Sequence, residues 1–468
     1  MTKDPFRNIS DSETSPEPAS NKMGTQPIGK LLFSMALPMT ISMMFQAFYN
    51  IVDSYFVSRL ELHQDAMNAV SLAFPMQSLL IAFSIGTGVG MSALISRSLG
   101  EKMEEKARQI AGVGLFLEIV MAAVFSLIGL FFARSFFAMQ TQNEQIIRYG
   151  GDYLSIVMGI CFFLYAQVTL ERLLQSTGRT DKSMICQLVG AGINIILDPL
   201  FIFGYAGFPR LEVKGAAVAT VIGQGAAALV GVLLNLKYNP ELSPAFKKIR
   251  FNARIALDIY RIGFPSILMQ SIGSVVNFCM NQILIGFTEA ATAVYGIYFK
   301  LQSFIFMPIF GLNNAMVPIV SYNFGAGHMD RVRKTYRLTI LSSVSFMSFG
   351  ALLFLTMPKI LLGIFSPTDE MLSIGVRALR IICLHFPLAG FCIIAGSVCQ
   401  AIGNPFHSLL ISICRQVVVL LPAAYLFSLT KVLDNVWLAF PLAEIVSFAL
   451  SFTFLRLTVR RAEAQLCR

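Results

Sequence analysis

Residues 74–108 read FPMQSLLIAFSIGTGVGMSALISRSLGEKMEEKAR, and residues 299–333 read FKLQSFIFMPIFGLNNAMVPIVSYNFGAGHMDRVR. A constant shift of 225 residues (302 − 77) aligns identical residues of the two stretches: Gln77 with Gln302, Gly86 with Gly311, Gly100 with Gly325 and Arg108 with Arg333. Two similar apolar stretches at a fixed shift are typical of a duplicated membrane protein. The duplication predicts two similar helical bundles that lie side by side, with a binding site where they meet.

The composition is that of a membrane protein. Of the 468 residues, 55% are hydrophobic and only 13% are charged, with a mean hydropathy of +0.67. Soluble domains carry about twice that charged fraction. A spanning helix needs roughly 20 mostly apolar residues. By this criterion the sequence predicts twelve spans, at about residues 30–58, 68–96, 107–131, 148–172, 184–204, 214–236, 260–286, 291–321, 332–354, 376–400, 408–428 and 436–458.

The predicted fold is an all-α polytopic membrane protein with twelve transmembrane helices in two six-helix bundles. Because six is an even number, both repeats enter the membrane from the same side, so they are parallel repeats related by an axis along the membrane normal. The predicted domains are a disordered cytoplasmic tail over residues 1–27, an N-lobe over 28–236, a cytoplasmic linker over 237–257, a C-lobe over 258–458 and a cytoplasmic tail over 459–468.

The net charge of +10 describes topology. Basic residues concentrate in the connections on one side of the membrane, as in residues 247–254 and 331–337, and the connections on the other side hold few. The positive-inside rule therefore predicts that both termini are cytoplasmic. This distribution accounts for the charge without a nucleic-acid partner. The eight cysteines show no spacing typical of a zinc site or a disulfide framework.

Asp53 is the first candidate functional residue, because ionisable groups within spans are rare and costly. Gln46, Asn50 and Asp53 follow one another at i, i+4 and i+7, which places them on one face of an otherwise apolar helix. Pro38 removes a backbone hydrogen bond earlier in the same span and is a candidate hinge. Since Asp53 is near the end of its span, a position at the outer water interface is the alternative.

Asp198 is the second candidate. Asn194 precedes it by one helical turn, and Thr220 offers a hydroxyl on the next span. Glu171, late in the fourth span, either joins this network or reaches the cytoplasmic surface. Burial and mutual repulsion favour proton uptake by a pair of carboxylates, and carboxylate, amide and hydroxyl oxygens also suit Na⁺. We expect no other metal and no cofactor.

The repeat serves as an internal control. Matching the two copies places Met280 at the position of Asp53 and Ala423 at the position of Asp198, so the second copy has lost both acids. Ion chemistry is therefore predicted in the N-lobe only. The C-lobe has its own candidate ion pair, Arg415 with Glu444, which we interpret as structural because a paired charge is the cheaper buried state.

The cleft between the lobes is the predicted substrate site. Its candidate residues are Gln46, Asn50, Asn277, Met280, Asn281, Tyr298, Gln302 and Asn314. For the polar members, hydrogen bonding between helices is the alternative. The chain also contains 40 Phe and 22 Met, and such adaptable apolar surface suits varied amphiphilic ligands. Since no nucleophile–base pair or nucleotide loop is found, an enzyme is not expected.

Three motifs carry a resemblance to a known family. They are the first-span pattern Pro38, Gln46, Asn50 and Asp53, the segment NIILDPLFIFG (194–204) and the segment KGAAVATVIGQ (214–224). With two parallel six-span repeats, the chain resembles the multidrug and toxic compound extrusion (MATE) family over residues 28–458, and most closely its prokaryotic MepA/DinF-like branch.

The resemblance implies a monomeric exporter of the inner membrane that expels lipophilic, cationic drugs in exchange for H⁺ or Na⁺ by alternating access. It also implies a cation network at Asp53, Asn194, Asp198 and Thr220, with Tyr153 as an aromatic member. Some family members carry an acid in the C-lobe where this chain has Gln270, which favours coupling through the N-lobe. The alternatives are a lipid-linked oligosaccharide flippase, which needs a basic cleft, and a receptor or scaffold that does not transport.

Overall fold

The computed structural model describes residues 21–57, 63–247, 249–365 and 367–466. The predicted disordered tail is therefore largely outside the described residues, and so is the side chain of Asn50. Within these ranges the helices are α1 (Lys22–Thr25), α2 (Ile28–Val57), α3 (His63–Gly100), α4 (Glu104–Ala138), α5 (Glu144–Gly159), α6 (Phe162–Ser176), α7 (Thr180–Phe203), α8 (Val213–Tyr238), α9 (Ala253–Ile285), α10 (Glu289–Gly325), α11 (Met329–Thr356), α12 (Pro358–Gly363), α13 (Asp369–Ile382), α14 (Phe386–Ile402), α15 (Pro405–Ile413), α16 (Leu421–Ser428), α17 (Leu433–Trp437) and α18 (Ala439–Leu466).

Twelve membrane spans are confirmed if one bent pair of helices counts as a single span. Eleven segments of the described chain are long and apolar enough to cross a membrane on their own, and α5 with α6 forms the twelfth, bent by 46°. At the bend, the hydroxyl of Ser126 donates to the carbonyl oxygen of Gly159, which satisfies a backbone group near the end of α5. The chain therefore turns inside the membrane without leaving that carbonyl group unpaired.

Each repeat contributes the first half of its first helix to a hydrophobic core of the other repeat. The core of the second repeat includes Met23 and α2 residues as far as Met39, which pack with side chains of α9 to α18. In return, Ala256 and Ile259 of α9 pack in a cluster with α3 and α4. The first helix of each repeat therefore has its first half in the core of the other repeat. Leu242, in the connection between the repeats, is fully buried in the same cluster as Ile259.

Small residues set the packing between the repeats. We call the basic end the end of the bundle that carries the connections at residues 101–103, 177–179, 239–252 and 326–328. There, α3 packs closely against α9 and α10, and we call this packing the seam. A Cβ atom on Gly86 would lie 3.0 Å from the carbonyl oxygen of Gly263, and one on Gly100 would overlap the backbone of Tyr322.

The seam is symmetric. Gly325, the repeat partner of Gly100, in turn packs on the backbone of Arg97. Toward the opposite end, a Cβ atom on Gly273 of α9 or on Gly296 of α10 would meet nothing within 4 Å. The repeats are therefore in close contact near the basic end and less tightly packed around these two positions.

A short segment before α2 joins the two repeats at the basic end. Asn21 donates to the carbonyl oxygen of Thr177 in the first repeat at 3.4 Å. In the second repeat, Asn323 donates to the carbonyl oxygen of Met23 at 3.0 Å, and Arg331 donates to that of Gln26 at 2.8 Å. The segment at residues 21–26 therefore links the two repeats by hydrogen bonds next to the seam.

Candidate functional site

A cavity of about 130 Å³ opens inside the N-lobe, between α2, α3, α6, α7 and α8, and reaches α10. Its wall is rich in amides and includes one acid and one arginine. The polar lining residues are Gln46, Tyr49, Gln167, Glu171, Arg172, Gln175, Gln187, Asn194, Thr220, Gln224 and Asn314. The sequence predicted Gln46, Glu171, Asn194, Thr220 and Asn314 among these as functional residues, and the fold brings them to one place.

Asn194, Asp198 and Thr220 form one hydrogen-bonded group. The amide nitrogen of Asn194 donates to Asp198 Oδ1 at 3.3 Å and to Thr220 Oγ1 at 3.4 Å. Thr220 donates its own proton to the carbonyl oxygen of Ala216 at 2.9 Å, so its hydroxyl oxygen can only accept here. Asp198 is fully buried. This group confirms the helical spacing on which the prediction rested.

Asp53 belongs to the same electrostatic group. It interacts through its charge with Asp198 across the packing of α2 on α7. Tyr49, one turn before Asp53, is within range of the charges of Asp53, Asp198 and Glu171. Tyr153 is within range of both aspartates and accepts a hydrogen bond from Gln77 at 2.9 Å. Tyr49 is therefore within range of both the aspartate pair and the acid of the cavity.

Four buried oxygen atoms of this group have no hydrogen-bond partner among the described residues. They are Asp53 Oδ1, Asn194 Oδ1, Asp198 Oδ2 and Gln224 Oε1. All four are acceptors, because the side-chain oxygens of amides and ionised carboxylates carry no proton. Unsatisfied buried acceptors in a low-dielectric site favour a bound cation or a proton. All the atoms that could bind a cation here are oxygens, which fits H⁺ or Na⁺.

Glu171 and Arg172 border the cavity on α6. Gln167 donates to Glu171 Oε1 at 3.0 Å and also to Gln187 Oε1 at 3.1 Å. Of the two locations predicted for Glu171, the structure supports the one inside the network. Arg172 donates through Nη1 to Gln175 at 3.0 Å and, across the seam, to Asn314 of α10 at 3.3 Å.

The arrangement has the features of a membrane transporter: repeated bundles, a seam closed near one end and a polar cavity within the apolar region. The MatE family model matches residues 38–200 and 265–426, one match in each repeat. The chain belongs to the MatE (MATE) family. Members of this family are transporters and not enzymes, which places the chain among efflux transporters of small molecules.

Relatives cover nearly the whole chain of this MATE protein. A FAD transporter of Shewanella oneidensis is 30% identical over 424 residues, which are 90% of this chain and 92% of the relative. The multidrug export protein MepA of Staphylococcus haemolyticus is 28% identical over 440 residues, 93% of this chain and 96% of the relative. These bacterial relatives and the apolar helices indicate an integral protein of a bacterial plasma membrane.

A solved structure shares the fold. The outward-facing conformation of a multidrug resistance MATE family transporter of the MOP superfamily superposes with a TM-score of 0.89 at 23% identity, covering 96% of this chain and all of that chain. The twelve-helix MATE fold predicted from the repeats is therefore confirmed.

The prediction that Met280 and Tyr298 line the cleft is wrong for the observed conformation. Met280 is fully buried in the core of the second repeat. Tyr298 is 1% exposed and packs against Tyr295 and Phe440 in that core. Both side chains face the interior of their own bundle because helix–helix packing there buries that face. Asn277, Asn281 and Gln302 are half-buried. They line neither the N-lobe cavity nor a smaller one of about 40 Å³ beside Arg172 and Gln400, and they stay predictions.

The C-lobe ion pair is present. Arg415 Nη1 lies 3.5 Å from Glu444 Oε1, and the glutamate side chain is only 5% exposed. Arg415 is in a π-helical segment, Cys414–Leu420, between α15 and α16. Such segments are rare and are often found at functional sites. The pairing itself agrees with a structural interpretation, because each charge offsets the other.

Sequence reasoning missed several members of the site. Tyr49 precedes Asp53 by one turn, and Gln224 follows Thr220 by one turn, so helical spacing from the known members was an available signal. Gln77 was noticed only as a marker of the repeat. The most important omission is Glu118, the single acid of the predicted span 107–131, which the rule on intramembrane charges would have selected.

Proposed function

We propose that this MATE protein is a secondary active antiporter. It exports lipophilic cationic compounds in exchange for H⁺ or Na⁺ by alternating access, and its coupling site is the group around Asp53 and Asp198. The basic end is cytoplasmic, so the seam closes the inner side and the described conformation faces outward. The observation that carries the proposal is the set of four buried acceptor oxygens that receive no hydrogen bond from any described residue.

The coupling follows from charge. Two carboxylates that share one buried site repel each other, and a proton or Na⁺ relieves this repulsion by adding one positive charge. Glu171 in the cavity is the negative group available to a cationic substrate, and Tyr49, which lines the same cavity, is within range of Glu171 and of both aspartates. A cation at the aspartates therefore weakens the binding of a second cation nearby. Such mutual exclusion is what exchange requires.

Pro38 is suited to a hinge by its place in the fold. It lies where α2 changes partners: residues up to Met39 belong to the core of the second repeat, while Gln46 and Tyr49 line the cavity of the first. Proline removes one backbone hydrogen bond of the helix. Bending here would move Asp53 relative to Asp198 without separating the first half of α2 from its core.

A second candidate is the export of an anionic flavin nucleotide. It is favoured by the FAD transporter among the relatives and by Arg172 in the cavity wall. Only Nη1 of Arg172 is hydrogen-bonded to a described side chain, so its Nε and Nη2 groups are available to an anionic substrate. Arg172 does not by itself separate this candidate from an oligosaccharide-diphosphate flippase, because FAD also carries a diphosphate; the FAD transporter among the relatives is what favours the flavin nucleotide.

The test is gradient-driven uptake of a fluorescent lipophilic cation by inside-out vesicles, with H⁺ and Na⁺ gradients imposed separately. The variants are Asp53→Asn and Asp198→Asn, and the matched control is Asp258→Asn, an exposed acid of α9. We expect wild type and control to accumulate dye under one gradient, which identifies the ion, and both aspartate variants to lose this uptake.

Two outcomes would contradict the antiporter. If the aspartate variants transport like wild type, the acids have no role in coupling. If wild type moves no dye under either gradient but accumulates FAD in the same inside-out vesicles, the flavin candidate replaces the drug exporter. Size-exclusion profiles of the purified variants check that each one folds.

A further inference from the structure

Glu118 is a buried acid that the proposed coupling site does not use. It lies on α4, 14 residues after Glu104, which places it about 21 Å into the helix at 1.5 Å per residue. It is only 2% exposed. Neither carboxylate oxygen has a hydrogen-bond partner among the described residues, and no described Lys or Arg nitrogen lies within 4.0 Å of it. A bare carboxylate at this depth is strongly unfavourable.

The surroundings of Glu118 come from three other helices. Ser84 of α3 adjoins the carboxylate, and the carboxylate also acts electrostatically on Tyr260 of α9 and Tyr165 of α6. The hydroxyl groups of Ser84 and Tyr260 are themselves buried without a partner in the described structure. Tyr165 donates to the carbonyl oxygen of Leu80 at 3.2 Å. The two carboxylate oxygens of Glu118 therefore lie beside the Ser84 hydroxyl, and Tyr260 is within range of their charge.

Arg172 is the basic residue whose charge acts on Glu118, but the two form no ion pair in the described structure. Its charge reaches Glu118, but it also acts on Glu171, and its Nη1 is hydrogen-bonded to Gln175 and Asn314. A single guanidinium cannot neutralise two acids. Contact with Glu118 would also require it to come within 4.0 Å, which it does not in the described structure.

We propose that Glu118 is a second site for a monovalent cation, H⁺ or Na⁺, at the junction of α3, α4, α6 and α9. A proton would convert the carboxylate into a donor for the hydroxyl oxygen of Ser84 or Tyr260. Sodium would instead be held by the carboxylate and the adjoining hydroxyl oxygen of Ser84. Either occupant adds the one positive charge that the buried site lacks.

The site joins the two repeats, which distinguishes it from the aspartate pair. Tyr260 is in the first half of α9, which belongs to the second repeat but packs in a cluster of the first. Around it, Gly86 and Gly90 bring α3 against the backbone of α9. A cation bound at Glu118 therefore stabilises the docking of α9 on the N-lobe.

The experiment uses the full chain in the background Asp53→Asn, Asp198→Asn, so that the site of the proposed function is silent. Infrared difference spectra compare Glu118→Gln with the matched control Glu105→Gln, an exposed acid of the same helix with a side chain 64% exposed. We expect Glu118→Gln, but not the control, to remove one band of a protonated carboxyl group at low Na⁺. Loss of the same band from the background protein on adding NaCl, but not KCl, identifies Na⁺ as a competing occupant.

Thermal unfolding provides a second readout. We expect the unfolding midpoint of the background protein to rise with protonation or with Na⁺, and this rise to disappear in Glu118→Gln. If Glu118→Gln does not fold, Glu118→Asp replaces it, and we expect a shifted carboxyl band. The proposal is overturned if no carboxyl band changes in either variant and the midpoint responds to neither cation, because Glu118 is then permanently ionised. Dye transport by the parent protein is measured separately and does not affect this result.

Discussion

Replacing Gly325 with alanine tests whether the seam controls the facing of the transporter. A Cβ atom at this position would overlap the carbonyl oxygen of Arg97 and lie 3.0 Å from its carbonyl carbon, where 3.4–4 Å is ordinary contact. The clash is with backbone, so no rotamer change relieves it, and α10 has to move away from α3. Overpacking of this kind costs about 1–3 kcal/mol.

The overpacking energy destabilises only the conformation in which the seam is closed. Alanine is favoured over glycine in a helix by about 0.5–1 kcal/mol, but this gain applies in both facings because α10 stays helical. The clash exists only where the seam is closed. Gly325→Ala should therefore shift the equilibrium toward opening at the basic end by about 5- to 150-fold, the range that corresponds to 1–3 kcal/mol.

Pulsed electron paramagnetic resonance measures this shift. Spin labels at Met103 and Lys334, exposed on opposite sides of the seam, report the distance across the basic end after the eight native cysteines are replaced. The matched control is Gly296→Ala on the same helix, where a Cβ meets nothing within 4 Å. If both variants give the same distance distribution, the seam does not set the facing and the reasoning fails.

Three further predictions concern single contacts. Thr220→Val keeps the side-chain volume but removes the hydroxyl oxygen that accepts a hydrogen bond from Asn194. Because such a hydrogen bond is worth about 0.5–1.5 kcal/mol, the coupling ion should bind about 2- to 10-fold more weakly. An unchanged ion dependence of transport would exclude Thr220 from the site. Arg415→Met should lower the free energy of unfolding by about 3–5 kcal/mol, because it leaves Glu444 buried without its partner. The double variant Arg415→Met, Glu444→Met should unfold at a higher temperature than the single variant. Equal unfolding midpoints would argue against the pair. Lys22 lies outside the membrane, and burial lowers its pKa although the charge of Asp181 opposes this shift. The folded state therefore loses the Lys22 proton at a lower pH than the unfolded state, so stability should rise as the pH increases from the lowered pKa toward 10.5. Lys22→Met should reduce this rise in the unfolding midpoint, and an undiminished rise would assign it to other groups.

The sequence predicted those features of the molecule that one helix determines by itself. Membrane thickness fixes the length of a span, so twelve apolar stretches could be counted directly. Helical spacing likewise placed Asn194 beside Asp198, because i and i+4 always share a face. The duplication revealed which acids occur in only one lobe.

What the sequence did not predict depends on how helices pack against one another. Tyr298 is polar and lies on a span near the cleft, but its face of α10 is buried by aromatic side chains of its own bundle. The exchange of half-helices was equally hidden, since hydropathy does not distinguish a residue such as Met35 in its own core from one in the core of the other repeat. Glu118 shows a different limit: its sequence signal was present, but its lack of partners is visible only in three dimensions.

The exchanged half-helices also set an order of events during biosynthesis. Met23 to Met39 leave the ribosome early, but they pack with side chains that begin at Val276 of α9 and continue to α18. At bacterial translation rates of about 5–20 residues per second, the 237 residues (276 − 39) between Met39 and Val276 take about 12 to 47 s to make. Throughout that interval the start of α2 is surrounded by lipid or by the insertion machinery, with its eventual neighbours still unsynthesised. The first half of α2 therefore reaches its final packing long after it is synthesised, and a chain interrupted in the linker would leave it permanently without a core.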